Sequence, residues 1–264
     1  MKAVIFLIIH FFVFVLLTLI TQIGGVLYLV IIYLHRRYKL KKWKTTVLFI
    51  GVYLFLTYLV VPPVASLFGR VRISHNNKIN ASNYMTILLN RNYVRKDLND
   101  LLIEVSKEIK DEGLKVQYLD AGFPFINGFP LPPHLSHNDG RKVDISFIYE
   151  EEGELTEKLK STSGYGVFVD PEEGEINQTT ICKENGYFQY DFPKYLSLGS
   201  KNKHISFSEK GTKKLIKLFL ERKEVQKIFI EPHLKKRLNL THSKIRFHGC
   251  GAVRHDDHIH LQIN

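Results

Sequence analysis

The chain opens on an almost unbroken apolar run. Residues 3–34 contain no charged side chain, and a membrane span needs about 20 apolar residues, so this run is long enough to cross. It is long for one upright helix, because about 32 residues at 1.5 Å each exceed a hydrocarbon core of about 30 Å. Tilt, or an end protruding into the interface, absorbs the excess, and Gly24 and Gly25 mark a bend or a close helix contact. A second apolar run, residues 45–69, meets Pro62 and Pro63 late and reads as a second span ending near those prolines. His10 and Gln22 inside the first run read as tolerated polar residues rather than a transport path, and two spans without an intramembrane charge argue against transport.

Beyond residue 69 the periodicity shortens. Residues 74–83 are polar and read as a linker. From Lys96 to Lys110, Leu98, Leu101, Leu102, Val105 and Ile109 recur at helical spacing, and Gly113 follows as a stop. Residues 114–119 and 165–170 read as strands, residues 123–133 as a proline- and glycine-rich loop over a cleft, and residues 172–189 as a polar excursion. Ser208 caps a predicted helix that runs to about Arg222 with Leu215, Ile216, Phe219 and Leu220 inward. Residues 225–230 and 244–247 read as strands, and Pro232 opens a short helix between them. Helices and strands mix without a regular βαβ alternation. The expectation is an α+β fold, a small antiparallel sheet with flanking helices, preceded by two transmembrane helices. Three parts follow: a membrane anchor at 1–69, a linker and the start of the soluble region at 70–92, and a domain at 93–264, long enough for a core of its own.

Charge orients the anchor. Residues 35–44, between the apolar runs, are densely basic around Trp43, and the positive-inside rule puts them in the cytoplasm. Both chain ends then lie outside, with the C-terminal domain on the periplasmic or extracellular side of the cytoplasmic membrane. A cleaved signal peptide fits poorly: the apolar stretch is too long, only Lys2 precedes it, and no small-residue cleavage site is evident. The formal net charge of +11 comes partly from this loop. The rest is spread over pairs such as Lys213-Lys214 and Lys235-Lys236-Arg237, which read as solvated helix faces that would also favour an anionic wall or lipid surface. No nucleic-acid recognition motif is present, and the anchors argue against that function. Cys182 and Cys250 are close enough to pair only if the fold brings them together, which spacing leaves open. Asn80 and Asn177 open glycosylation-type triplets, a pattern that chance often produces.

Two clusters carry candidate chemistry. Residues 142–149 alternate and are β-branched, as in a strand, with Asp144 near its start. His137 precedes it across a turn of Asn138, Asp139 and Gly140, where glycine lets the chain fold back so that the imidazole can return to the carboxylate. Residues 257–263 also alternate, so His258 and His260 project to one strand face while Ile259 and Leu261 take the other. His255 stands just before, where a bend would bring it over the same cleft. The chain has 12 histidines, so chance pairs are easy to find; two ordered clusters on strand edges are less so. Imidazole and carboxylate at these spacings suit one tetrahedral zinc with a position left for water.

The pair His137-x-x-Gly140-x-x-x-Asp144 and His255-x-x-His258-x-His260 resembles the zinc peptidase group that includes lysostaphin, D-Ala-D-Ala peptidases and Hedgehog. Most of that group carries a glutamate where His255 stands; the histidine version is similar to the penicillin-insensitive murein endopeptidases, as is the stretch from Val225 to Arg237. The likeness runs from about Tyr118 to Ile263 with a divergent middle. It implies His137, Asp144 and His260 as zinc ligands, His255 as general base and His258 as stabiliser of the transition state. His134 also matches a histidine of the endopeptidase version, and it stays open between an accessory cleft residue and a plain loop histidine. Gln262 departs from the pattern, because the endopeptidases tend to have an arginine soon after the last histidine. Asp256 and Asp257 are candidates to orient the imidazoles, or simple turn residues, the latter favoured for Asp256. The resemblance implies a membrane-anchored zinc metallopeptidase cleaving peptide bonds of peptidoglycan, D-amino-acid bonds above all, with endopeptidase and carboxypeptidase action both open. The alternative is a zinc-containing binding or sensor module without turnover, against which the intact His255 and His258 count.

Overall fold

The structure is a computed structural model that describes residues 2–132 and 134–264, with side chains from Val4 onward. In chain order the elements are α1 (Lys2–Thr21), α2 (Gly24–Arg37), α3 (Lys42–Phe55), α4 (Val61–Ser66), β1 (Val71–Arg72), β2 (Ile79–Ala81), α5 (Tyr84–Leu88), β3 (Tyr93–Val94), α6 (Lys96–Glu108), β4 (Val116–Asp120), β5 (Lys142–Ser146), β6 (Tyr149–Glu151), β7 (Glu154–Thr156), α7 (Gln178–Glu184), β8 (Ser206–Phe207), α8 (Glu209–Leu220), β9 (Val225–Phe229), α9 (Pro232–Arg237), β10 (Ile245–Arg246) and β11 (His258–Ile263). They fall into two compact units that interleave along the chain: residues 1–73, 85–96 and 122–140 form the first, residues 74–84, 97–121 and 141–264 the second.

In the first unit the apolar run at 3–34 is not one helix. Gln22 adopts a left-handed φ of 66°, the chain reverses, and α1 and α2 form an antiparallel hairpin. The Phe6 ring lies 4.4 Å from the Arg36 guanidinium, and the His10 ring meets the Tyr28 hydroxyl. The turn is stabilised from both sides: Thr21 Oγ1 accepts the Gly24 N–H at 2.8 Å, and Gln22 Oε1 accepts the Phe125 N–H at 3.0 Å. Gly24 and Gly25 do mark a close helix contact. A Cβ on Gly24 would stand 2.6 Å from Thr21 Oγ1, and one on Gly25 2.5 Å from the Phe14 carbonyl oxygen. The start of α1 and the end of α2 that leads into the basic loop therefore share one end of the hairpin.

Two helical stretches, Val4–Thr21 and Lys42–Ser66, are long and apolar enough to cross a membrane. Both leave large apolar side chains exposed, Phe12 by 70% and Leu59 by 64%. The second passes from α3 through a π-helical turn, Leu56–Val60, into α4. Pro62 and Pro63 sit in the first turn of α4, where a missing N–H is tolerated, and the looser turn before them accommodates the lost hydrogen bonds. The helix consequently continues past the prolines to Ser66.

The second unit is built on a six-stranded sheet of order β10-β9-β11-β5-β4-β2. The expected small antiparallel sheet is only its centre. β4, β5, β11 and β9 run antiparallel, but β2 joins β4 and β10 joins β9 in parallel. Each parallel pair is separated in sequence by a helical connection, as parallel pairing requires: α9 lies between β9 and β10, α6 between β2 and β4. The mixed sheet keeps the fold α+β. Part of the expected linker, residues 79–81, is sheet edge, because Ile79 is fully buried and pairs with Val116. A smaller sheet of order β7-β6-β8 accompanies it. Helix α6 buries Leu98, Leu101, Leu102 and Val105 as its spacing predicts. Ser208 Oγ accepts the Gly211 N–H at 3.2 Å and caps α8, whose Leu215, Ile216 and Phe219 are buried. Residues 165–170, expected as a strand, run outside any ladder; their backbone is used by the site described below.

Cys182 and Cys250 form a disulfide with a Cα–Cα separation of 5.3 Å, tying α7 to the turn that precedes β11. Replacing both cysteines by serine is expected to lower stability by about 2–4 kcal/mol, measured by denaturant unfolding. Gly25→Leu is expected to cost about 1–3 kcal/mol through overpacking and to abolish disulfide crosslinking between cysteines placed at positions 6 and 36; an unchanged crosslink would contradict the hairpin.

Candidate metal centre

The site rests on the pairing of β5 with β11. In that register His260 stands opposite Asp144 and His258 opposite Ser146, so period-two alternation puts both imidazoles on the face that carries the carboxylate. Asp144 is fully buried, and His258 and His260 are nearly so. His260 Nδ1 lies 2.8 Å from Asp144 Oδ1, and His258 Nε2 lies 3.5 Å from the same oxygen. The bend before β11 swings His255 onto the group, its ring 4.9 Å from His258 and 5.6 Å from His260. One ligand atom from each of His255, His258 and His260 lies within 4.8 Å of the others. The second unit thus brings together four of the five residues singled out in the sequence.

His137 belongs to the first unit with His134. Both lie on the loop that precedes β5 in the chain, rings 5.6 Å apart, His137 buried and His134 partly so. The His137 N–H bonds to the His134 carbonyl at 3.0 Å. The loop turns at Gly140, whose φ of +69° only glycine adopts without strain and whose hydrogen faces the Arg70 guanidinium where a Cβ would collide.

Several partners were not legible in the sequence. The Tyr165 hydroxyl donates to Asp144 Oδ2 at 2.9 Å, and its ring stands edge-on to His258 at 5.1 Å. Burial, and then the Asp144 charge, push the Tyr165 phenol well above its ordinary range, so it stays a donor. Asp257 bonds His258 Nδ1 through Oδ1 and accepts the Gly166 N–H on Oδ2 at 2.6 Å, so of the two readings open to it the contacts match the orienting one. Asp256 instead pairs with Arg254, which also reaches Asp191 at 3.2 Å and Asp170 at 2.9 Å. Glu231 accepts the His255 backbone N–H at 2.8 Å and the Tyr190 hydroxyl at 2.6 Å. His248 stacks on His255, ring centroids 5.5 Å apart at 14°. Tyr165 and Asp170 lie in residues read as a strand, Asp256 and Asp257 inside the second histidine motif and Glu231 in the stretch from Val225 to Arg237; Tyr190, Asp191, His248 and Arg254 carry no sequence signal of their own.

The imidazoles are driven apart electrostatically. Burial and the neighbouring His258 and His260 rings push His255 well below the ordinary histidine range. Burial opposes the charge on His258 as well, but Asp144 and Asp257 outweigh it and raise that group to about 9. One neutral acceptor and one charged donor then stand side by side, the arrangement acid–base chemistry needs.

The donor set fits a zinc-like cation. Imidazole nitrogen and carboxylate oxygen are both suitable ligands, and two atoms bound at about 2.0–2.1 Å in tetrahedral geometry stand about 3.3 Å apart. The pair His260 Nδ1 and Asp144 Oδ1, at 2.8 Å, needs to open by only about 0.5 Å to reach that spacing. Neither a protein-family profile nor a curated protein sequence matches this chain.

Behind the cluster, Arg237 binds the Glu175 carboxylate and the Asp170 carbonyl. Its hydrogen bond holds Glu175 down at about 2. A depressed carboxylate contributes stability that is full above its unfolded pKa of about 4.3 and is lost as pH falls toward the folded value. Arg237→Ala is therefore expected to flatten the stability profile between pH 5 and 2, read by thermal melting. Glu231→Ala is expected to cost about 2–3 kcal/mol, because the buried Tyr190 hydroxyl and His255 N–H lose their acceptor; a cost under about 0.5 kcal/mol would contradict the clamp.

Proposed function

We propose that this chain is a membrane-anchored zinc metallopeptidase that hydrolyses peptide bonds of peptidoglycan, with its second unit outside the cytoplasm. The observation that carries the reading is the buried convergence of Asp144, His255, His258 and His260 on two paired strands and the bend before them. His137, just ahead of β5 in the chain, is assigned as the remaining ligand from its motif, beside Asp144 and His260. The disulfide and the basic loop between candidate spans support the orientation.

When bound, a zinc ion supplies Lewis acidity that brings the pKa of water from about 15.7 to about 7. His255, neutral in its buried setting, takes the proton from the attacking water and returns it to the leaving amine as the C–N bond breaks. His258, bonded through Nδ1 to Asp257, would face the carbonyl oxygen as it becomes negative and donate to it, stabilising that charge. Asp257 fixes the His258 ring through Nδ1, so that Nε2 is the nitrogen presented. Tyr165 holds Asp144 from the side away from His260 and so orients the carboxylate. The peptidoglycan substrate follows from the motif resemblance, and the choice between endopeptidase and carboxypeptidase action belongs to experiment.

Incubating the full chain in detergent with purified cross-linked muropeptides should give cleavage that a chelator abolishes and zinc restores. His260→Ala should lose both zinc and activity. His255→Ala should keep zinc, read by atomic absorption, and lose turnover by about 10²–10⁴-fold. Stoichiometric zinc in His260→Ala would overturn the ligand assignment; zinc without cleavage of any muropeptide would leave a binding module.

A further inference from the structure

Away from the histidine cluster, a cavity of about 410 Å³ opens between α1, α2 and α3, a volume within the range of about 300–1,000 Å³ typical of ligand sites. Val13, Leu17, Ile32 and Phe49 form its apolar wall, and His35 and Lys42 line it where α2 ends and α3 begins. His35 Nδ1 bonds Thr45 Oγ1 at 2.7 Å and ties the two helices together at that end. The adjoining chain carries Arg36 and Arg37 at the end of α2, Lys39 and Lys41 in the loop and Lys44 at the start of α3, and residues 35–44 contain no acidic side chain. Lys42 thus puts a cation at one end of the cavity, within a basic stretch of chain, and the remainder is lined by hydrocarbon from helices that include both candidate spans.

That combination selects an amphiphile. Inorganic phosphate would satisfy the basic end but leave the apolar wall unfilled. A neutral acyl chain would fill the wall but ignore the charges. We propose that this cavity binds an anionic phospholipid, with one acyl chain between α1, α2 and α3 and its phosphate against Lys42 and the basic loop, in the leaflet that faces that loop. The charge complementarity matches the attraction of basic juxtamembrane segments to anionic lipid surfaces, and the cavity adds a shape requirement that a merely basic loop lacks. The site does not depend on the peptidase reading.

The test uses the full chain purified from membranes and reconstituted in nanodiscs containing phosphatidylglycerol and phosphatidylcholine. Native mass spectrometry after release is expected to show retained phosphatidylglycerol in preference to phosphatidylcholine by at least about tenfold, with excess inorganic phosphate unable to displace it. Ile32→Trp fills the cavity while keeping every charge, and is expected to abolish retention; Lys42→Gln with Arg36→Gln keeps the cavity and is expected to remove the preference. Equal retention by Ile32→Trp would overturn the proposal, since it would reduce the effect to the loop's charge. Equal retention of phosphatidylcholine would overturn the anionic assignment. A lipid-free dimer disrupted by Ile32→Trp would give the cavity to a second copy of the chain instead. If Ile32→Trp fails to fold, a photoreactive phosphatidylglycerol on the unmodified protein decides: crosslinks at Leu17 and Ile32 support the site, and crosslinks confined to residues 36–44 overturn it.

Discussion

The candidate centre depends on one strand register. β11 lies between β5 and β9, and its pairing with β5 sets His260 against Asp144. A slip of one residue would turn His258 and His260 to the opposite face and bring Ile259 and Leu261 to the carboxylate. The register is protected because Ile259, Leu261, Val143 and Ile145 are all buried on the alternate positions. The hydrophobic packing that stabilises the sheet is therefore also what aligns the polar cluster.

Placing that many polar groups out of water has a cost, which the surrounding loops offset by pairing. Arg254 sits among Asp170, Asp191 and Asp256, and stacks on Phe168 at 3.7 Å. Glu231 joins Tyr190 to the His255 backbone, and His233 Nε2 donates to the Val169 carbonyl at 2.8 Å. Buried charges with such partners are costly to break singly, because the remaining partner stays buried and uncompensated. The result is a stiff backing for the bend that carries His255. On an unrestrained loop His255 would lose its alignment with His258 and His260.

The first unit obeys a different rule. Two of its helical stretches are long and apolar enough to cross a membrane; in such helices the backbone groups partner one another, and the polar side chains within them find mates. His10 finds Tyr28, and Gln22 finds the Phe125 N–H. Gln22 also turns the chain, so its polarity and its left-handed backbone serve one purpose, the reversal between α1 and α2. The glycines that follow permit the close approach of those helices.

The sequence by itself determined whatever is periodic or local. The apolar runs, the α6 and α8 faces, the Ser208 cap and the alternating strands around Asp144 and His258 each declare themselves within a few residues, because helix and strand repeats are set by the backbone. It also marked His255, His258 and His260, though not His248, which stacks on His255. What it could not show was pairing. The parallel edges β2 and β10, the Gln22 reversal, the Cys182–Cys250 bridge, and the attachment of Tyr165, Arg254 and Glu231 to the cluster all join residues far apart in the chain. Local propensity is silent on which distant partner a strand or a buried charge will take. Only the tertiary structure decided that, by demanding that apolar surface be covered and each buried donor and acceptor be matched.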